Sequence, residues 1–216
     1  MNGDLKEVAA ALAHDLNNVL QVVLGNLELL RRRREFLPDI VEAALGATRH
    51  SAALADRLAT LGRLQPPEKR PFDLNHFVHE LEGALAETLG TAIGVELALA
   101  PDLPSALGDP RALQLVLLEL AANAKAAMPR GGRLMIRTAQ GPENFLVLEV
   151  TDTGDGMSPA TLERTRAPLL SRGERGKPGG LGLHIVESCI RAGGGRVELA
   201  SAPGAGTSVK LFLPSA

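Results

Sequence analysis

The sequence predicts an α+β protein built in two parts, an antiparallel helical hairpin followed by a two-layer α/β sandwich. Three observations carry this. Over the first 64 residues the apolar side chains recur at three- and four-residue steps. The stretch QPPEKRPFD (65–73) then interrupts every helical pattern. Beyond it, runs of alternating apolar residues and amphipathic stretches succeed one another. A stripe with helical period marks a helix with one buried face, whereas period two marks a half-buried strand.

In the first part the stripe runs through Leu5, Val8, Leu12, Leu16, Val19, Val23, Leu27 and Leu30. RRRREFLPD breaks it, and Pro38 suits the first turn of a second helix carrying Val41, Leu45, Thr48, Ala52, Ala55, Leu58 and Leu61. The short connection makes the pair antiparallel. Two helices cannot enclose a core, so the expectation is a homodimer whose hairpins form a four-helix bundle. RRRR (31–34) reads as the solvated end of the first helix. The proline-rich joint sets the domains at 1–65 and 71–216.

In the second part Asn75 to about Leu89 reads as a helix and GVELALA (94–100) as a strand. Asp109 followed by Pro110 is an N-cap and first-turn pair opening a helix to about Met128. GRLMIRTA (132–139) and FLVLEVTD (145–152) read as strands. A glycine-rich, basic stretch from Asp155 to Gly180 is too polar for core. A helix over about Leu181–Ala192 follows, then strands at RVELAS (196–201) and TSVKLFL (207–213). Helices segregated to one face of several strands make an α+β sandwich.

Composition narrows the function. The chain has 216 residues, 45% of them apolar, and a net charge of −2. That balance does not favour nucleic acid or an anionic membrane surface. Aromatic content of 2%, without Trp or Tyr, speaks against a stacking platform for single strands. The single cysteine, Cys189, excludes an internal disulfide and fits a reducing compartment. No apolar run is long enough for a membrane helix, and MNGDLKE is no signal peptide, so a cytoplasmic chain without membrane insertion is expected.

The stretch ALAHDLNNVLQ (11–21) departs from what a structural helix needs. Asn and Asp compete with the helix for backbone groups. His14 lies nearly opposite the apolar stripe, with Asn18 one turn further on the same outer face. Neutral imidazole offers a nucleophilic lone pair, the carboxylate of Asp15 can fix its tautomer, and Asn18 can orient a water or a phosphoryl oxygen. Taken alone, a lone histidine on such a face is better explained as an exposed polar helix surface, and the cluster by itself does not decide between the two. A metal is disfavoured, since no second His or Cys lies at ligand spacing.

Three later segments shift that balance. In LLELAANAKAAM (117–128) Glu119 and Asn123 are four residues apart and share a helix face, with Lys125 nearby. An amide oxygen can complete a magnesium shell otherwise filled by phosphate and water. In DTGDGM (152–157) Gly154 and Gly156 let the backbone pass close to a ligand, or simply form a tight turn. Asp152, ending a buried strand, can accept a hydrogen bond from an exocyclic amine. In GKPGGLGLHIVES (176–188) glycines precede a helix start, where free N–H groups and the dipole attract phosphate. This is neither a Walker nor a dinucleotide fingerprint. Three such pieces in order behind a displayed histidine form a coherent set.

The whole chain resembles the catalytic core of a sensor histidine kinase, whose ATP-binding fold is shared with type II topoisomerases and heat-shock chaperones. AHDLNNVL resembles the H box of the subgroup with His-Asp-aromatic-Asn-Asn, ELAANAKAAM the N box, DTGDGM the G1 box, GGLGL the G2 box and SAPGAGT (201–207) the closing segment. The resemblance implies His14 as phosphoacceptor, Asp15 as assisting base and Asn18 orienting water when the enzyme runs as a phosphatase. It implies Asn123 on Mg²⁺, Lys125 near the phosphates, Asp152 on the adenine amine, Gly180 and Gly182 at the phosphates and Thr207 near the adenine. ATP is then the phosphoryl donor, and the acceptor an aspartate of a response-regulator receiver domain. Glu119 stands where the subgroup usually has Asn and matches the related ATPases, in which this Glu activates water. APLLSRGERG (167–176) replaces a Phe-rich box, with Leu169 and Leu170 for packing and Arg172, Arg175 or Lys177 for phosphate. Leu16 replaces the aromatic H-box residue. The alternative is a histidine phosphotransferase that relays phosphoryl groups between receiver domains and carries a degenerate ATPase-like domain.

Overall fold

The computed structural model describes residues 20–21, 23–25, 41, 48, 68–166 and 181–216. The chain divides into two compact units, Met1–Gln65 and Pro66–Ala216. In the first unit the described residues are helical, and Leu20 and Leu24, one turn apart, are exposed. The pairing of two helices and their dimeric bundle lie outside the described residues, as do His14, Asp15, Asn18 and the stretch 167–180.

The second unit runs β1 (Arg70–Phe72), α1 (Leu74–Leu89), β2 (Ile93–Leu99), β3 (Ala106–Gly108), α2 (Pro110–Ala127), β4 (Gly132–Gln140), β5 (Phe145–Asp152), α3 (Pro159–Arg166), α4 (Leu181–Ala192), β6 (Arg196–Ser201) and β7 (Thr207–Pro214). A five-stranded sheet has the order β2-β4-β5-β7-β6, with only β2 and β4 parallel. β1 and β3 form a separate antiparallel ribbon. α2 packs between α1 and α4, and these helices cover one face of the sheet.

Alternation builds the core. Leu146, Leu148 and Val150 of β5 are buried, beside Leu134 and Ile136 of β4 and Val209 and Leu211 of β7. The opposite face carries Arg137, Glu149, Lys210 and Glu198 in one cross-strand row of alternating sign. Lys210 Nζ lies 3.8 Å from Glu149 Oε1. Exposed pairs of this kind contribute only about 0.2–1 kcal/mol each. One face is therefore apolar and covered, the other charged and wet, as an antiparallel sheet permits.

The helix ends follow their side chains. Asp73 caps α1 by accepting the His76 N–H at 2.9 Å. Asp109 caps α2 by accepting the Arg111 N–H at 2.9 Å, with Pro110 in the first turn. Three elements were not expected. β1 and β3 are only three residues long, too short for any period to register. α3 forms inside the polar stretch after Asp155, where Ser158 Oγ accepts the Thr161 N–H at 3.2 Å. Its side chains carry no apolar stripe, so capping and not periodicity marks its start.

Candidate functional site

At one end of the sheet, Ser201 of β6, Thr207 of β7 and Asp152 of β5 stand opposite one another. Cross-strand partners share a face, and Asp152 continues the buried row of β5, so all three point to the helix side. Asp152 is 9% exposed. Its Oδ1 accepts the Gly154 N–H at 2.8 Å and the Thr207 N–H at 3.2 Å. Burial raises the carboxyl above its ordinary value, and the two backbone donors act against that shift. Both bonds fall on Oδ1, which directs Oδ2 to a further donor.

The loop after Asp152 is wedged between α2 and the β6–β7 turn. Asp155 N–H donates to the Ala127 carbonyl at 3.0 Å, and Gly204 N–H donates to the Asp155 carbonyl at 2.7 Å. A Cβ at Gly154 would stand 2.7 Å from the Ala127 carbonyl oxygen. Gly156 has φ 66° and faces the Ala202 carbonyl, so any side chain there would be strained as well as blocked. Close packing of the chain on itself is thus sufficient reason for both glycines, and it fixes the loop that holds Asp152.

The second cluster lies between α2 and α4. Glu119 is 6% exposed, and Asn123, one turn on, is exposed at its rim. Gly182, in the first turn of α4, closes on this pair. A Cβ there would stand 2.9 Å from Glu119 Oε2 and 3.0 Å from Asn123 Nδ2. Asn123 is one turn before Ala127, so both clusters border the same end of α2. Gly182→Ala is expected to displace the Asn123 amide and weaken nucleotide binding several-fold. Its effect on stability is small, since overpacking of ~1–3 kcal/mol is offset by up to ~1 kcal/mol of helix propensity. Titration calorimetry beside thermal unfolding separates the two effects.

Lys125 is placed differently. Its Nζ donates to the Thr88 carbonyl at 2.7 Å, at the C-terminal end of α1 and away from Gly182. The structure thus brings Glu119, Asn123 and Gly182 together, gathers Asp152, Gly154, Gly156 and Thr207 at the sheet end, and turns Lys125 toward α1. His14, Asp15, Asn18 and Gly180 are outside the described residues. Cys189 is buried, and burial with the charges of Asp109 and Glu119 pushes its thiol up to about 11, so it is an inert core group at neutral pH. Ser201 opens the SAPGAGT segment but was not singled out by sequence reasoning, because its place opposite Thr207 appears only once β6 and β7 are paired.

The donor set fits an adenine nucleotide. Asp152 offers a fixed acceptor in a buried setting, and Gly182 lets the start of α4 approach Glu119 and Asn123 more closely than a side chain would allow. Among the described residues no three His, Cys, Asp or Glu side chains converge to hold a metal by themselves. A divalent cation would therefore rely on Asn123 and on oxygens brought by the ligand.

Residues 108–216 match the model of the histidine kinase-, DNA gyrase B- and HSP90-like ATPases, and residues 4–67 match the His kinase A phospho-acceptor domain. The chain belongs to this ATPase family, in its sensor histidine kinase branch. It is 32% identical to the sensor kinase CckA of Brucella abortus, over 96% of this chain and 24% of that protein. It is 28% identical to the sensory histidine kinase/phosphatase NtrB of Rhodobacter capsulatus, over 97% of this chain and 62% of that one. The chain thus spans less than two thirds of the length of these curated relatives. The solved histidine kinase AdeS of Acinetobacter baumannii shares the fold, with a TM-score of 0.64 at 20% identity over 94% of this chain and 98% of that one.

Proposed function

We propose that this chain is the core of a two-component histidine kinase that transfers the γ-phosphoryl group of ATP to His14 and then to a response-regulator aspartate. The assignment gives 1–65 the phosphoacceptor and dimerisation role and 71–216 the ATP-binding role. The observation that carries it is Asp152, a buried carboxylate clamped at Oδ1 by two backbone donors and left to read an amine through Oδ2. ATP bound there supplies the phosphoryl group, with Mg²⁺ offsetting its charge.

Protein work in phosphoryl transfer is positioning and charge neutralisation. Asp152, Gly154, Gly156 and Thr207 hold the base end. Asn123 contributes an amide oxygen to the cation, and Gly180 and Gly182 let backbone N–H groups approach phosphate. Glu119, buried one turn before Asn123, takes the role of polarising a water, the role that likeness to the related ATPases implies. Lys125 reaches phosphate only by leaving the Thr88 carbonyl, so in this arrangement its charge acts at a distance. On the other unit His14 is the nucleophile and Asp15 holds its tautomer. Asn18 orients water for dephosphorylation of the partner, a reading supported by likeness to a protein named as a kinase/phosphatase. The active species is a homodimer in the cytoplasm.

Incubating the full chain with γ-labelled ATP and Mg²⁺ tests this. Label should be retained through alkali and released by acid, as an N-phosphoryl bond requires. Protein that binds no ATP yet accepts label from a phosphorylated receiver domain would instead be a phosphotransferase.

A further inference from the structure

Ser201 ends β6 opposite Thr207, and its hydroxyl is fully engaged. It accepts the Met157 N–H at 2.9 Å and donates to the Gly206 carbonyl oxygen at 2.9 Å. It also lies 3.0 Å from Thr207 Oγ1. A hydroxyl has one proton, and a carbonyl oxygen can only accept. The one arrangement that satisfies all three contacts puts the Ser201 proton on the Gly206 carbonyl and draws the proton between the two hydroxyls from Thr207. Thr207 consequently turns its proton toward β6 and presents only lone pairs beside Asp152. That carboxylate, when ionised, is also an acceptor and nothing else.

We propose that Ser201 is a positioning residue for base selection, holding the Thr207 hydroxyl proton so that the base end of the nucleotide site is acceptor-only. This deepens the ATP-binding reading above and rests on it. A purine with its amine at C6, as in ATP, supplies the donor such a site lacks. A purine with a carbonyl at that position, as in GTP, sets its oxygen against acceptors and leaves buried polar groups unpaired, which is the costly arrangement. The row that selects the base thus has three members across three strands, and the outermost need not touch the ligand.

The test compares ATP and GTP affinities of the full chain by calorimetry in the wild type, Ser201→Ala and Ser201→Thr, with thermal unfolding of each. In Ser201→Ala the Thr207 hydroxyl is free to rotate and donate to a carbonyl. The preference for ATP over GTP is expected to fall about five- to tenfold, mainly through tighter GTP binding, the scale of one hydrogen bond. Ser201→Thr keeps the hydroxyl and restores the preference. A role only in shaping the β6–β7 turn would weaken both nucleotides alike, so a ratio that stays within about twofold of wild type, well inside one hydrogen bond, overturns the assignment. Wild type that binds ATP and GTP equally also overturns it and leaves the kinase reading standing. Wild type that binds neither overturns both. Should Ser201→Ala fail to fold, Ser201→Cys fills similar volume with a weak donor and is expected to show the same loss of preference.

Discussion

Asp152→Asn is expected to weaken ATP binding about 10- to 150-fold, the range for losing a charged hydrogen bond, while leaving the empty protein at least as stable as wild type. The two effects have opposite sign because they draw on different atoms. The amide keeps Oδ1 as an acceptor, so the Gly154 and Thr207 donors remain satisfied. At the other atom an acceptor becomes an NH₂ donor, which faces the adenine amine donor to donor. Burial makes the carboxylate costly, which is why its pKa lies above the ordinary 3.8. For a raised carboxyl the linkage runs so that its contribution to stability is complete below 3.8 and is lost as pH rises through the folded value. At neutral pH the wild-type group is therefore a load on the fold that Asn removes. Thermal unfolding from pH 4 to pH 8 should show the wild type losing ground to the variant as pH rises. A variant that loses stability and ATP affinity together would make Asp152 a structural residue.

His14→Gln is expected to abolish transfer of label from γ-labelled ATP while ATP binding is unchanged. Gln keeps polarity and helix propensity close to those of His, yet its amide nitrogen has no nucleophilic lone pair. Asp15→Asn is the companion variant. It leaves the nucleophile but withdraws the charge that fixes its tautomer, so transfer should slow without stopping. Label incorporated into His14→Gln at the wild-type rate would move the phosphoacceptor elsewhere in the chain.

Much of this was legible in the sequence, and the reasons differ by element. β4, β5 and β6 alternate in burial because one side of the sheet is oil and the other is water, whereas β7 alternates only as far as Leu211 and then buries Phe212 and Leu213 as well. The start of α2 was legible because Asp109 and Pro110 act locally. β1 and β3 exist through each other, with Arg70 opposite Gly108 and Phe72 opposite Ala106, and nothing in three residues announces a partner so far along the chain. Lys125 illustrates the same limit at the site. Its neighbourhood in sequence is that of Asn123, but its reach in space is set by the last turn of α1, where the Thr88 carbonyl accepts it. Ser201 matters only through register with Thr207, a relation that appears once strands are aligned.

The placement of β7 has a further consequence for how the protein comes into being. β7 is the last strand in sequence, yet it pairs on both sides, with β5 and with β6. During synthesis β6 leaves the ribosome before the strand that joins it to the rest exists. Thr207, which clamps Asp152, opens that late strand. A chain interrupted between Ala192 and Thr207 therefore holds the residues of the α2–α4 cluster but lacks a finished sheet and a fixed Asp152. Within this sheet, then, the strand that clamps Asp152 is also the one that joins β6 to β5, so closing the sheet and fixing the carboxylate are a single event.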